Sequence, residues 1–256
     1  MAFVDVAYRT ASKVYRFLTN SPYVSPTASF AGKPGDMRSS TALETIFANH
    51  KGRIVDKWLH YLPVYERYLA AYRNKPFRML EIGVFKGGSL QMWREYFGER
   101  ATIYGIDIDP QCANYANAPN IVRIGSQDDP AFLAAVVAEM GGVDVILDDG
   151  SHIARHQRAS FKALWPLLSE GGLYIIEDMH TSYWPGFLEG GYRRRGTAIE
   201  MAKTLVDEMH HWYHSKGGRD DLGSVSFHDS VAVIEKRRGV RPVYLKVGNQ
   251  SSVEAS

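Results

Sequence analysis

Two short stretches carry side chains whose types and spacing suit chemistry. Asp148, Asp149 and His152 fall within Gly142-Val-Asp-Val-Ile-Leu-Asp-Asp-Gly-Ser-His152, and Glu177 and Asp178 follow Ile175-Ile176. Asp149, Glu177 and Asp178, if grouped, repel one another unless they are protonated or neutralised by a cation. All-oxygen ligation favours a hard ion such as Mg²⁺, with positions left open for a substrate. A hydroxyl on carbon is too weakly acidic to attack an electrophile unaided. A divalent cation on that oxygen lowers its pKa, and His152 is spaced to take the proton as general base. Taken singly, Glu177-Asp178 reads as a helix cap with a surface acid, and His152 as a backbone-bonded residue at a helix start. The matching acids on two strands favour one site: metal at Asp149, Glu177 and Asp178, catalysis at His152 and Asp149.

Grouping them requires a sheet. Val143 to Leu147 reads as a buried parallel strand, interrupted only by Asp144, and Gly172 to Ile176 as the next. Adjacent strands lie about 4.8 Å apart, so their ends can converge. Met79 to Gly83, Thr102 to Asp107 and Asn120 to Ile124 are three earlier strands. Helices are predicted over Gly88 to Phe97, Pro130 to Met140 and Ala154 to Leu168. Repeated βα units give a mostly parallel sheet with helices on both faces, and ligands bind beyond its carboxyl ends. Leu222 to Phe227 and Val231 to Lys236 form a closing hairpin around His228-Asp-Ser230.

Upstream, helices are predicted over residues 3–19, Thr41 to His50 and Lys57 to Arg73, with a turn-rich stretch over 20–40. The aromatic stripe Trp58, Tyr65 and Tyr68 reads as core packing. Residues 1–75 are thus a helical extension, 76–238 the α/β domain, and 239–256 a polar tail. A lid is expected at about 179–196, where the connection is long and rich in glycine and aromatics. Thr197 to His214 is again helical in pattern. His210, His211 and His214 read as a surface group, and Arg193-Arg-Arg195 as a solvated loop.

A second corner suits a cofactor. Leu80-Glu-Ile-Gly-Val-Phe-Lys-Gly-Gly-Ser89 puts glycines between a strand and a helix, where the backbone can approach a ligand closely. The spacing is not Gly-x-Gly-x-x-Gly, so no compact pyrophosphate cradle is evident. Asp107 ends the second strand, where a carboxylate can hydrogen-bond a ribose diol. Gly125-Ser-Gln-Asp128 follows the third strand, in position to meet an adenine. An acid in strand one, a glycine turn and a strand-two acid resemble the class I S-adenosylmethionine-dependent methyltransferases, whose sheet is Rossmann-like. S-adenosylmethionine has no phosphates, which suits the missing cradle. The candidate cofactor residues are Glu81, Gly83, Gly87, Ser89, Asp107, Ser126, Gln127 and Asp148.

The resemblance narrows further. Asp-Asp-Gly-Ser-His at 148–152, Ile-Ile-Glu-Asp-Met-His-Thr-Ser-Tyr-Trp at 175–184, Asp-Lys-Trp at 56–58 and the hairpin at 224–236 are similar to the metal-dependent macrolide-sugar O-methyltransferases of the macrocin and mycinamicin type. It implies Mg²⁺ on Asp149, Glu177 and Asp178, with His152 as base toward a sugar hydroxyl of a natural product. It also implies that Tyr183-Trp184 belongs to a lid over the acceptor. The similarity covers about residues 50–238; residues 1–50 are left for acceptor or oligomer contacts.

Composition sets outer bounds. The 256 residues are 45% hydrophobic and 23% charged, ordinary globular values that allow a full core. A net charge of +2 argues against a dedicated nucleic-acid surface. Cys112 is the one cysteine, which rules out an intrachain disulfide framework and suits a reducing cytoplasm. No signal peptide and no run of about 18 apolar residues is evident, so the expectation is a cytoplasmic protein acting on a small glycosylated hydroxyl acceptor. Three rival readings stand beside this one. Asp149, His152 and His156 have the spacing of a two-histidine, one-carboxylate iron site for an oxygenase. A nicotinamide reductase lacks its glycine fingerprint, and a non-catalytic nucleoside-binding module leaves the acidic cluster without a purpose.

Overall fold

The computed structural model describes residue 37 and residues 39–116, 118–185 and 187–248. The helix expected over 3–19, most of the stretch 20–40 and the tail beyond 248 lie outside the described residues.

Seven strands form one sheet in the order β3-β2-β1-β4-β5-β7-β6. They are β1 (Phe77–Ile82), β2 (Ala101–Asp107), β3 (Ile121–Ile124), β4 (Val143–Asp148), β5 (Leu168–Ile176), β6 (Leu222–His228) and β7 (Val231–Lys236). The first five are parallel, and β7 runs antiparallel to both β5 and β6, as the closing hairpin predicts. The chain winds outward from β1 to β3 and then returns to place β4 against β1. That reversal opens a crevice at the carboxyl ends of β1 and β4, where open α/β sheets bind ligands.

Strand alternation sorts the core onto two faces. Met79, Val145, Leu147, Ile175 and Val233 face α1 (Ala42–Asn49), α2 (Tyr61–Leu69) and α3 (Gly88–Phe97). Leu80, Ile82, Ile146, Tyr174 and Ile176 face α4 (Pro130–Met140), α5 (Ala154–Leu164) and α6 (Ala198–Met209). The described part of the N-terminal extension therefore shares its core with the sheet. A capping box starts α1: Thr41 Oγ1 accepts from Glu44 N at 3.2 Å, and the Glu44 carboxylate accepts from Thr41 N at 2.9 Å.

Proline explains two departures of the helices from expectation. The helix predicted from Lys57 begins only at Tyr61, because Pro63 has no N–H to donate and is tolerated only in a first turn. Lys57 is thereby freed from a helix face. The helix predicted to Leu168 stops at Leu164, where a 3₁₀ turn over Trp165–Leu167 contains Pro166. β5 consequently begins at Leu168, and α6 ends at Met209 before a 3₁₀ turn at His211–Tyr213.

Trp93 is the keystone of the first face. It is fully buried, stacks on Phe97 at 5.6 Å and meets Tyr65 edge-on at 5.4 Å. Trp93→Ala is expected to destabilise the fold by about 3–5 kcal/mol, read as a lower denaturant midpoint.

Candidate active site

The parallel ladder continues one residue past the strands. Gly83 N donates to Ile106 O at 2.8 Å, Asp149 N to Ile82 O at 2.9 Å, and Glu177 N to Asp148 O at 3.0 Å. Because Ile82, Asp148 and Ile176 are in register, Gly83, Asp149 and Glu177 stand side by side at the sheet edge. Gly83, at φ +97, is required there: a Cβ would lie 2.1 Å from the Asp149 carbonyl oxygen. His152 and Asp178 each hold φ near +54, a left-handed conformation uncommon outside glycine that Asp and His adopt more readily than most. Strain of this kind on neighbouring strand ends clusters at working sites.

These residues line one cleft of about 590 Å³. At one end stand Asp149, His152, Glu177 and Asp178. His152 Nε2 lies 3.5 Å from Asp178 Oδ2 and 3.9 Å from Asp149 Oδ1, while its Nδ1 is enclosed without a hydrogen-bond partner. Asp149, His152 and Asp178 each present one ligand atom, all within 4.8 Å of one another. Tyr61 OH donates to Asp178 Oδ1 at 2.7 Å and lies 2.8 Å from the Ser230 hydroxyl, so α2 and the hairpin turn orient that carboxylate.

Glu177 has a partner absent from the sequence expectation. Lys57 Nζ donates to Glu177 Oε1 and Oε2 at 2.8 and 3.0 Å and also contacts Asp149 Oδ2. Burial raises the Asp149 carboxyl to about 7 and the Glu177 carboxyl to about 8, the lysine pulling both downward. Burial works against the Lys57 charge, but Asp149 and Glu177 outweigh it and keep the ammonium protonated beyond the usual lysine range. Glu81 adds a further buried carboxylate, pushed up to about 7 by desolvation. Four acids thus face one ammonium. A donor set of carboxylates with one imidazole, whose ionised forms a divalent cation would stabilise against burial, fits a hard ion.

The other end of the cleft is built from the glycine turn and the β2 and β3 ends. Asp107 Oδ2 accepts from Val84 N at 2.9 Å and Phe85 N at 3.0 Å, and Oδ1 from Asp109 N at 2.9 Å. It fixes the turn and still borders the cleft. Gln127 Oε1 accepts from Ser151 N at 2.7 Å and Nε2 donates to Asp148 Oδ1 at 3.1 Å, tying the β3 and β4 loops together. Phe85 and Ile108 add exposed apolar surface beside it.

Of the sequence-predicted residues, Gly83, Asp107, Ser126, Gln127, Asp149, His152, Glu177 and Asp178 line the cleft. Glu81, Gly87, Ser89 and Asp148 do not. Glu81 sits inside β1 and accepts from Ser89 Oγ at 2.9 Å and Trp93 Nε1 at 3.2 Å. Gly87 caps α3 against Tyr115. Asp148 points to the opposite face, where it accepts from Tyr174 OH at 2.9 Å and from Ser160 Oγ. His156 is not brought to Asp149 and His152: its Nδ1 meets Ser151 Oγ at 2.8 Å and its Nε2 lies 3.6 Å from Asp128. The proposed iron triad is therefore not assembled.

Residues 80–179 match a family described as a methyltransferase domain. The chain carries a methyltransferase domain. It is 39% identical over 199 residues to 8-demethyl-8-alpha-L-rhamnosyl tetracenomycin-C 2'-O-methyltransferase of Streptomyces olivaceus, covering 71% of this chain and 52% of that protein. It is also 39% identical over 222 residues to mycinamicin VI 2''-O-methyltransferase of Micromonospora griseorubida, covering 78% and 54%. Among solved structures it resembles the MycE methyltransferase of the mycinamycin biosynthetic pathway in complex with Mg, SAH and mycinamycin VI. That match has a TM-score of 0.70 and 34% identity, over 81% of this chain and 57% of the other. The chain spans about half the length of these curated relatives. The match ends at residue 179, just past Glu177 and Asp178, so the whole acid row falls within it. Among the described residues no helix is long and apolar enough to cross a membrane.

Proposed function

We propose that the chain is an S-adenosylmethionine- and divalent-metal-dependent O-methyltransferase acting on a sugar hydroxyl of a glycosylated natural product. The observation that carries it is one cleft with two differently equipped ends. One end offers Gly83, Asp107, Ser126 and Gln127 toward a nucleoside, and the other an acid–imidazole cluster. The kinship with sugar O-methyltransferases supplies the acceptor class. In this reading residues 1–75 are an N-terminal extension, 76–238 the catalytic domain with a lid at about 179–196, and 239–256 a tail.

The cofactor supplies a methyl group on a sulfonium, an electrophile that needs no acid assistance. Asp149, Glu177 and Asp178 would hold Mg²⁺, which supplies Lewis acidity toward the acceptor hydroxyl. The chain's own residues do the rest. His152 takes the hydroxyl proton, and the imidazolium it becomes lies within ion-pair reach of Asp178 and Asp149. Asp107 receives the ribose diol, and Phe85 and Ile108 shelter the base from water. Proximity is the main contribution, since aligned reactants avoid most of the entropic cost of meeting.

Titrating S-adenosylhomocysteine into EDTA-treated protein, with and without Mg²⁺, tests the two ends separately. Nucleoside binding and an independent Mg²⁺ heat that disappears in Asp149→Ala are expected. No nucleoside binding in either condition sinks the methyltransferase reading. A purely nucleoside-binding module would tolerate Asp149→Ala without loss of any function. Asp107→Ala is expected to weaken S-adenosylhomocysteine binding by about tenfold or more, because a charged hydrogen-bond acceptor is lost and the turn it anchors loosens.

A further inference from the structure

We infer that Lys57 is a resident counter-cation of the acidic cluster and competes with the divalent metal for Asp149 and Glu177. The inference rests on the metal-dependent function proposed above. Lys57 lies in the irregular segment between α1 and α2, and its side chain is only 2% exposed. The segment is fastened at both ends. Arg53 N donates to Gln91 Oε1 at 2.8 Å, and Tyr61 OH to Asp178 at 2.7 Å. Between these anchors the chain passes over the ends of β4 and β5 and lowers one ammonium between their carboxylates.

That ammonium bridges acids from two strands, touching Asp149 Oδ2 and both oxygens of Glu177. A divalent ion bound by the same two carboxylates needs the same space. Two cations that close repel strongly away from bulk water. The ion must therefore displace Lys57 or bind against its charge, and either way the lysine lowers metal affinity. The benefit lies in the metal-free chain. Glu81, Asp149, Glu177 and Asp178 crowd one corner, the two glutamates buried and the two aspartates partly so, and buried carboxylates without a counter-charge are costly. Lys57 keeps the corner assembled until metal arrives, and it already lines the cleft into which it would withdraw.

The alternative, that Lys57 positions the carboxylates for the metal, predicts the opposite sign. Mg²⁺ or Mn²⁺ alone is titrated calorimetrically into the EDTA-treated chain, comparing the parent with Lys57→Met and Lys57→Gln. The glutamine keeps an N–H donor without the charge, and serves if the methionine variant does not fold metal-free. Both variants are expected to bind metal about tenfold or more tightly, as removal of a like charge about 4 Å away requires. Their metal-free melting temperatures should fall below the parent's, with the gap closing on Mg²⁺ addition. Unchanged or weaker metal binding in the variants overturns the competition alone. Absence of metal binding in the parent and both variants overturns the metal-dependent reading, and this inference with it.

Discussion

His152→Ala is expected to lower kcat for methyl transfer by about 10²–10⁴-fold while leaving S-adenosylhomocysteine binding nearly unchanged. The separation follows from the layout of the cleft. His152 stands with Asp149 and Asp178, whereas the nucleoside end is framed by Gly83, Asp107 and Gln127. Its ring lies 6.5 Å from Phe187 between centroids, and its Nε2 faces Asp178 and Asp149. Retained S-adenosylhomocysteine affinity would separate the loss of turnover from any loss of fold. His152→Gln retains a polar group but no basic nitrogen and is expected to share the defect. Turnover within tenfold of the parent in both variants would assign the proton to another group.

The carboxyl-end row was legible because it depends on little more than alternation. Ile82, Asp148 and Ile176 each end a strand whose neighbours alternate between two apolar faces, and the residue after each must then stand at the sheet edge. The same rule, applied more strictly, places Glu81 and Asp148 correctly. Residues inside a strand point sideways into a core, not over its end. Glu81 shares its face with Met79, and Asp148 shares its face with Ile146. On β1, β4 and β5 the overhanging residues are Gly83, Asp149 and Glu177. Lys57 was harder to see, because a single lysine names no partner ninety or more residues away. A signal was nonetheless present in Pro63, which denies the helix its start at Lys57. A surplus of buried acid without a cation was the other. The rival iron reading of His156 fails because His152 lies in the turn before the helix that begins at Ala154, so the i, i+4 spacing gives the two rings no shared face. Ser151 and Asp128 claim the His156 ring.

Metal-free protein is expected to lose thermal stability as pH rises from about 5 to about 8, and Mg²⁺ to reverse that trend. Folding raises the Asp149 carboxyl to about 7 and the Glu177 carboxyl to about 8, through burial that only Lys57 opposes directly. A carboxyl whose pKa is raised by folding stabilises the native state most below its unfolded pKa, near 4. That contribution is lost as pH climbs through the folded value, at most about 1.4 kcal/mol per pH unit for each group. Lys57 does not offset the slope, since its own raised pKa keeps it charged across this window. Mg²⁺ must displace the protons held by the same carboxyls, so its affinity should climb through pH 7–8 and release protons on binding. Melting curves with EDTA and with saturating Mg²⁺ across this range, and the buffer dependence of the Mg²⁺ binding heat, measure both effects. Metal-free stability that rises with pH, together with Mg²⁺ affinity flat across the same window, would show that these carboxylates enter the folded state already ionised. Lys57 would then neutralise the pair more completely than burial penalises it, and the metal would have to overcome a satisfied ion pair at every pH.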